Sequence, residues 1–215
     1  MRKSTLTLAA AAGLAALSIG TLHAQGGPSG PPGAMDPSRV EAGSYVADSG
    51  HSLVGWRVNH FGFNDYFGIF GDVAGTLTID PANLAGAKVD VTIPIASVTT
   101  ASAGLTGHLT RAGANGGKPD FFGPAPAPAK FVSTRVQTTG ATSANITGDL
   151  TMNGQTKPVT IAAQFTGAGT HPFNMKKNIG FEGTTTIKRS DWGLSGFIPM
   201  VGDEVELQIT VAFEK

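Results

Sequence analysis

The sequence predicts an all-β protein of about eight antiparallel strands, each with one wet face and one dry face. Three observations predict this. Apolar and polar residues alternate in run after run from Ser44 to the end of the chain. Turn residues separate the runs at short intervals. Charged residues are only 14% of the chain, against 30 Gly, 13 Pro and 40% hydrophobic residues, a composition that suits a turn-rich β protein with a core and argues against strong disorder.

The chain of 215 residues reads as one folded domain with an extension before it. Arg2 and Lys3 precede the uncharged apolar stretch from Leu6 to Ile19, and Leu22-His23-Ala24 ends on a small residue. Residues 1–24 are therefore expected to be a signal peptide cleaved after Ala24. The apolar stretch is too short, and too often interrupted by Gly13, Ser18 and Gly20, to read as a lasting anchor. Residues 25–43 contain Gly26-Gly27-Pro28-Ser29-Gly30-Pro31-Pro32-Gly33 and almost nothing to bury, so a flexible Gly/Pro-rich linker is expected. The barrel or sandwich domain then occupies residues 44–215. The chain has no Cys, which closes anchoring through a lipidated Cys, disulfide support and thiolate chemistry.

The strands follow in order. Val54, Trp56 and Val58 share a face in the first long run. Phe67, Ile69, Val73, Leu77 and Ile79 are expected to share the next. Val89, Val91, Ile93 and Ile95 form a third face, and Ile146, Leu150 and Met152 a later one. Val159, Ile161, Ala163 and Phe165 precede Ile179, Phe181 and Ile187, and the last run is Val205, Leu207, Ile209, Val211 and Phe213. Period two on this scale means half-buried antiparallel strands. Asp80-Pro81 and Gly167-Ala168-Gly169 are read as strand ends, and Asn153-Gly154 as a hairpin turn. The connection from Thr99 to Lys130 is too long for a hairpin, and Leu105, His108 and Leu109 suggest a short helix within it. About eight one-sided strands bury a common face either as a closed barrel or as a two-layer sandwich, and the pattern leaves both open. Glycines scattered through the strands (Gly55, Gly68, Gly75, Gly148, Gly183) mark bends, or room for a ligand.

Specific signs of catalysis are missing from the sequence. It lacks a phosphate-binding loop, a dinucleotide fingerprint, H-E-x-x-H and G-x-S-x-G. His51 and His60 flank one strand about 30 Å apart, so they cannot share a metal. Asp191 and Asp203-Glu204 read as local turn and ion-pair residues. Fifteen Lys and Arg balance fifteen Asp and Glu, which argues against a nucleic-acid binder.

The order and spacing of several motifs resemble the YceI family through most of Tyr45 to Glu214. His51-Ser52-x-Val54-Gly55-Trp56-x-Val58-x-His60 is similar to its opening strand, and Gly68-Ile69-Phe70 through Gly75-Thr76-Leu77-Thr78-Ile79-Asp80 to its second. His108-Leu109, Asp120-Phe121-Phe122 and Pro128-Ala129-Lys130-Phe131 resemble its middle. Gly148-Asp149-Leu150-Thr151-Met152-Asn153-Gly154 through Val159, Lys188-Arg189-Ser190-Asp191-Trp192-Gly193-Leu194 and Val201-Gly202-Asp203-Glu204-Val205 resemble its later motifs. Leu105 and Thr106 stand where the family commonly has an Arg-Asp pair, and the segment between Leu109 and Phe121 is longer and Gly-rich.

The resemblance implies a lipocalin-like barrel whose apolar interior takes a long isoprenoid lipid or isoprenoid quinone, without catalysis and without a cofactor. It implies a periplasmic or secreted home with no stable membrane anchor after cleavage, and leaves room for a homodimer. The expected ligand-binding wall is Val54, Trp56, Val58, Phe67, Ile69, Val91, Ile93, Phe121, Phe122, Phe165 and Phe181. The alternative is a β-barrel packed solid, serving as an interaction or stress-response module.

Overall fold

The alternating runs fold into antiparallel strands in a computed structural model that describes residues 30–215. The expected signal peptide, residues 1–24, and the start of the expected linker lie outside the described residues.

Gly43–Ala47 (β1) pairs with Ala74–Ile79 (β4), and β4 with Lys88–Ile93 (β5). Ala129–Thr138 (β6), Ser143–Met152 (β7), Gln155–Thr170 (β8), Lys177–Lys188 (β9) and Val201–Glu214 (β10) follow as successive antiparallel neighbours. β10 returns to β1, with Val46 opposite Glu214 and Ala47 opposite Phe213. These eight strands close a barrel, which leaves no open edge in the ring. The alternative of two packed layers is thereby settled in favour of the barrel.

Leu53–His60 (β2) and Asn64–Phe70 (β3) form a hairpin that pairs with the other half of β10, Val54 opposite Ile209 and Val58 opposite Val205. The hairpin extends the wall at one end. Ile69 and Thr99 exchange two backbone hydrogen bonds of 2.9 Å, which tie β3 to the segment after β5. The end bearing the β2–β3 turn is the upper end. It also carries the short helix Ala103–Thr110 (α1), where Ser102 caps the first turn by accepting from the Leu105 N–H. Between β7 and β8, Asn153 and Gly154 both take positive φ, +48° and +74°, the conformation the Asn-Gly signal asks for.

Two expectations are corrected. Phe67 and Ile69 do not share a face with Val73, Leu77 and Ile79: they are 60% and 42% exposed on the outside of β3, while Tyr66 and Phe70 face inward. Phe70 and Val73 are both buried although three positions apart, because Gly71-Asp72 adds one residue between the strands and Asp72 takes φ +55°. One extra residue reverses every side chain upstream of it. Gly167-Ala168-Gly169 does not end a strand either. β8 runs through it to Thr170, and the glycines let residues 32–34 approach: a Cβ at Gly169 would lie 2.3 Å from the Pro32 carbonyl oxygen. Ala34 exchanges two backbone hydrogen bonds with Ala168, 3.1 and 2.9 Å. Thus the described part of the expected linker touches the barrel here.

Gly75 illustrates how closely the ring is drawn. Its φ is +140°, and a Cβ there would lie 2.1 Å from the Asp90 carbonyl oxygen of β5. Gly75→Ala is expected to lower stability by about 1–3 kcal/mol or more through strained backbone and a forced strand separation. Urea unfolding checks this; an unchanged midpoint would show that β4 and β5 can slide apart freely.

Candidate functional site: the barrel cavity

The inward faces do not fill the barrel. They surround a cavity of about 680 Å³, within the range of about 300–1,000 Å³ in which small-molecule sites fall. Two apolar clusters form its ends. Ile95, Val98, Leu109, Phe131, Trp192 and Leu194 pack at the upper end, and Tyr45, Leu77, Ile79, Ile179 and Phe213 at the lower. Between them the wall is almost wholly aliphatic and aromatic, because period-two strands turn every second residue inward.

Nine of the expected wall residues line this cavity: Val54, Trp56, Val58, Val91, Ile93, Phe121, Phe122, Phe165 and Phe181. Phe67 and Ile69 are not among them, for the reason of parity given above. Phe131, Leu150, Val159, Ile161 and Leu207 also line it, on alternating faces that the sequence displays. Leu105, His108 and Leu109 enter from α1. Pro37 and Val40 close against the lower end together with Pro81 and Leu84, and no alternating pattern in the sequence assigns these four to the wall.

The strand glycines serve a purpose beyond bending or empty room. A Cβ at Gly68 would lie 2.2 Å from Trp56 Cζ2, and one at Gly148 2.5 Å from Phe131 Cζ. Each glycine lets a cross-strand aromatic ring lie flat on the wall and face the cavity with its other side.

Polar side chains gather at the upper mouth, several of them bonded to one another or to backbone, while the buried Trp56 Nε1 on the lining has no partner among the described residues. Asp120 meets His108 Nε2 at 2.8 Å and accepts from Arg111 at 3.1 Å. The His108 bond first, then the Arg111 bond, holds its carboxyl below the usual carboxylate range. The His108 ring meets Phe121 and Phe197 edge-on, with centroids 5.3 and 5.8 Å away. Arg189, only 6% exposed, donates to the carbonyls of Gly202 (2.8 Å), Leu194 (2.5 Å) and Val201 (2.8 Å). Burial pushes its pKa down, opposed by the charge of Asp203. All three of its nitrogens are engaged, so its role is to hold the 194–202 segment. A buried Arg at this place has no signal in one sequence.

Asp203 in turn accepts from the Ser190 N–H (2.9 Å) and Oγ (2.7 Å). Burial pushes its pKa up, but the Ser190 bonds and the charges of Arg189 and Lys188 outweigh this and bring it below the ordinary value. A carboxyl lowered by folding stabilises the native state above its unfolded pKa of about 3.9, and that contribution fades as pH falls through the lowered folded value. The stability gap between wild type and Asp203→Asn is therefore expected to be widest near neutral pH and to close below about pH 4. Urea midpoints across pH test this; a gap independent of pH would remove Asp203 from the acid response.

Other titratable groups serve local structure. His51 Nδ1 lies 2.7 Å from Asp48 at the entry to β2, and His171 Nδ1 accepts from the Phe173 N–H in the β8–β9 turn. Among the described residues no three His, Cys, Asp or Glu side chains are placed to hold a metal, and no helix is long and apolar enough to cross a membrane.

The profile of the YceI-like domain matches residues 45–213. A UPF0312 protein of Ectopseudomonas mendocina is 38% identical over 181 residues, covering 83% of this chain and 91% of that protein. One from Pseudomonas syringae pv. tomato is 35% identical over 200 residues, 92% and 94% of the two chains. Among solved structures, the Campylobacter jejuni YCEI protein superposes with a TM-score of 0.59 at 27% identity, covering 73% of this chain and 89% of that one. Burkholderia cenocepacia BcnA gives 0.62 at 22% identity over 77% and 98%. A polyisoprenoid binding domain from Saccharophagus degradans, implicated in plant cell wall breakdown, gives 0.56 at 12% identity over 81% and 99%. At these last two identities the likeness is one of fold.

Proposed function

The chain belongs to the YceI-like family, and on that premise we propose that it binds one long apolar lipid, a polyisoprenoid or isoprenoid quinone, inside the barrel and carries or sequesters it in the periplasm or outside the cell. The observation that carries this reading is the continuous apolar cavity of about 680 Å³. A solid core would leave no such space, since protein interiors pack with few voids larger than a water molecule. Burying each chain methylene contributes roughly 0.8 kcal/mol, so a long chain can bind firmly with few polar contacts. The Saccharophagus polyisoprenoid binding domain shares the fold. Binding rather than catalysis suits a site whose lining is almost wholly apolar and whose Asp120, His108 and Arg111 are engaged with each other. The apolar leader read in the sequence supports export.

The test is organic extraction of the purified protein followed by mass spectrometry. About one prenyl lipid or quinone per barrel is expected. A clean extract, together with no uptake of an added prenyl chain, would sink the carrier and favour an interaction module.

A further inference from the structure

We propose that the upper rim of the barrel is a bilayer-docking surface, through which the cavity exchanges its lipid directly with a membrane. The inference rests on the lipid-carrier reading and adds the place and manner of loading. Phe61 and Phe197 line the cavity, yet they are 45% and 40% exposed. The apolar lining therefore continues onto the rim through these two rings, beside the His108–Asp120–Arg111 cluster. Beyond it stand Phe63, 89% exposed at the tip of the β2–β3 turn, and Met200, 49% exposed beside it.

These four side chains are presented by two turns bound to each other. The Phe61 N–H donates to the Met200 carbonyl (2.7 Å), and the Val201 N–H to that of Phe197 (2.8 Å). Phe61 and Phe197 take φ of +57° and +61°, a backbone region where bulky residues are rare and strained. Met175 at the lower end shares this conformation, with φ +61°, so what singles out the rim is that Phe61 and Phe197 also line the cavity. Residues 58–64 and 193–202 contain no Asp, Glu, Lys or Arg. These two turns can enter a neutral bilayer interface without stripping water from a charge of their own, with Lys118 on the Gly193 carbonyl and the Arg111–Asp120 pair standing beside them; exposed apolar patches of this kind mark interaction sites. A long isoprenoid has negligible solubility in water, and a mouth seated in lipid gives it an apolar path past Phe61 and Phe197.

A different exposed apolar pair, Phe173 and Met175 in the β8–β9 turn, lies at the lower end, does not line the cavity, and precedes Lys176 and Lys177. It serves as the control. The experiment uses phosphatidylcholine vesicles carrying a prenylquinone and compares wild type, Phe63→Ser/Met200→Ser and Phe173→Ser/Met175→Ser. Neither Phe63 nor Met200 lines the cavity, so quinone delivered from ethanol should bind the rim variant with unchanged affinity. Vesicle flotation and the initial rate of quinone uptake from vesicles should fall about tenfold or more in the rim variant and little in the control. Wild type that does not float with vesicles, or a rim variant that loads as fast as wild type, would overturn the docking surface. So would light scattering showing that wild type is a dimer and the rim variant a monomer, with flotation unaffected; the patch would then be covered by a second copy. Failure of wild type to take up ethanol-delivered quinone would instead overturn the carrier reading, and flotation would still decide docking.

Discussion

Arg189→Met is expected to lower folding stability by about 3–5 kcal/mol, more than any conservative change in the apolar wall. The guanidinium is buried and is the donor to three backbone carbonyls, those of Leu194, Val201 and Gly202. Removing it strips a donor from each, and an orphaned buried polar group costs about 1–3 kcal/mol. It also removes a cation that Asp203 faces. Arg189→Lys should fail nearly as badly, because one ammonium cannot reach three divergent carbonyls that a planar fork spans. Urea unfolding at neutral pH measures both. A loss under about 1 kcal/mol in the Met variant would show that the 194–202 segment holds its shape without the guanidinium. Because that segment carries Phe197, the loss should extend to the upper mouth of the cavity.

The second large effect concerns the wall. Added prenyl lipid should stabilise wild type in proportion to its affinity, by about 2.7 kcal/mol at a hundredfold excess over Kd. In Phe181→Glu that stabilisation should vanish at neutral pH. Phe181 lines the cavity between Phe165 and Phe213, with ring centroids 5.9 and 6.4 Å away. A carboxylate there keeps its water only while the tube is empty, and a bound chain would strip that water away. The penalty therefore falls mainly on the lipid-bound state, and part of the stabilisation should return at acidic pH as the carboxyl is protonated. Ile69→Glu is the matching control: Ile69 faces outward, and the lipid-induced shift should survive. Equal shifts in wild type and Phe181→Glu would mean that lipid binds elsewhere.

The contrast between Phe181 and Ile69 shows how far the sequence reaches. Alternation along β8, β9 and β10 assigned Phe165, Phe181 and Leu207 to the dry face, because strand geometry sends every second side chain inward whatever the rest of the chain does. Asn153-Gly154 specified its turn for a similarly local reason: both residues tolerate positive φ. The short helix around Leu105, His108 and Leu109 was visible in the same way. Parity, however, is relative. It carries across a junction only if no residue is added, and Gly71-Asp72 adds one, so Phe67 and Ile69 turned outward.

The sequence by itself determined that the chain is a set of one-sided antiparallel strands, where most of them start and stop, and which residues of most strands are dry. Closure was decided only in the tertiary structure, since a barrel and a sandwich bury the same alternating faces and differ in which distant edges meet, here β1 with β10. The cavity was decided there too. Whether inward side chains meet or leave a tube depends on barrel radius and on Gly68 and Gly148 seating aromatic rings flat against the wall. Arg189, between strands, and residues 32–40, against the lower end, acquire their roles from contacts far apart in the chain, which no local pattern records.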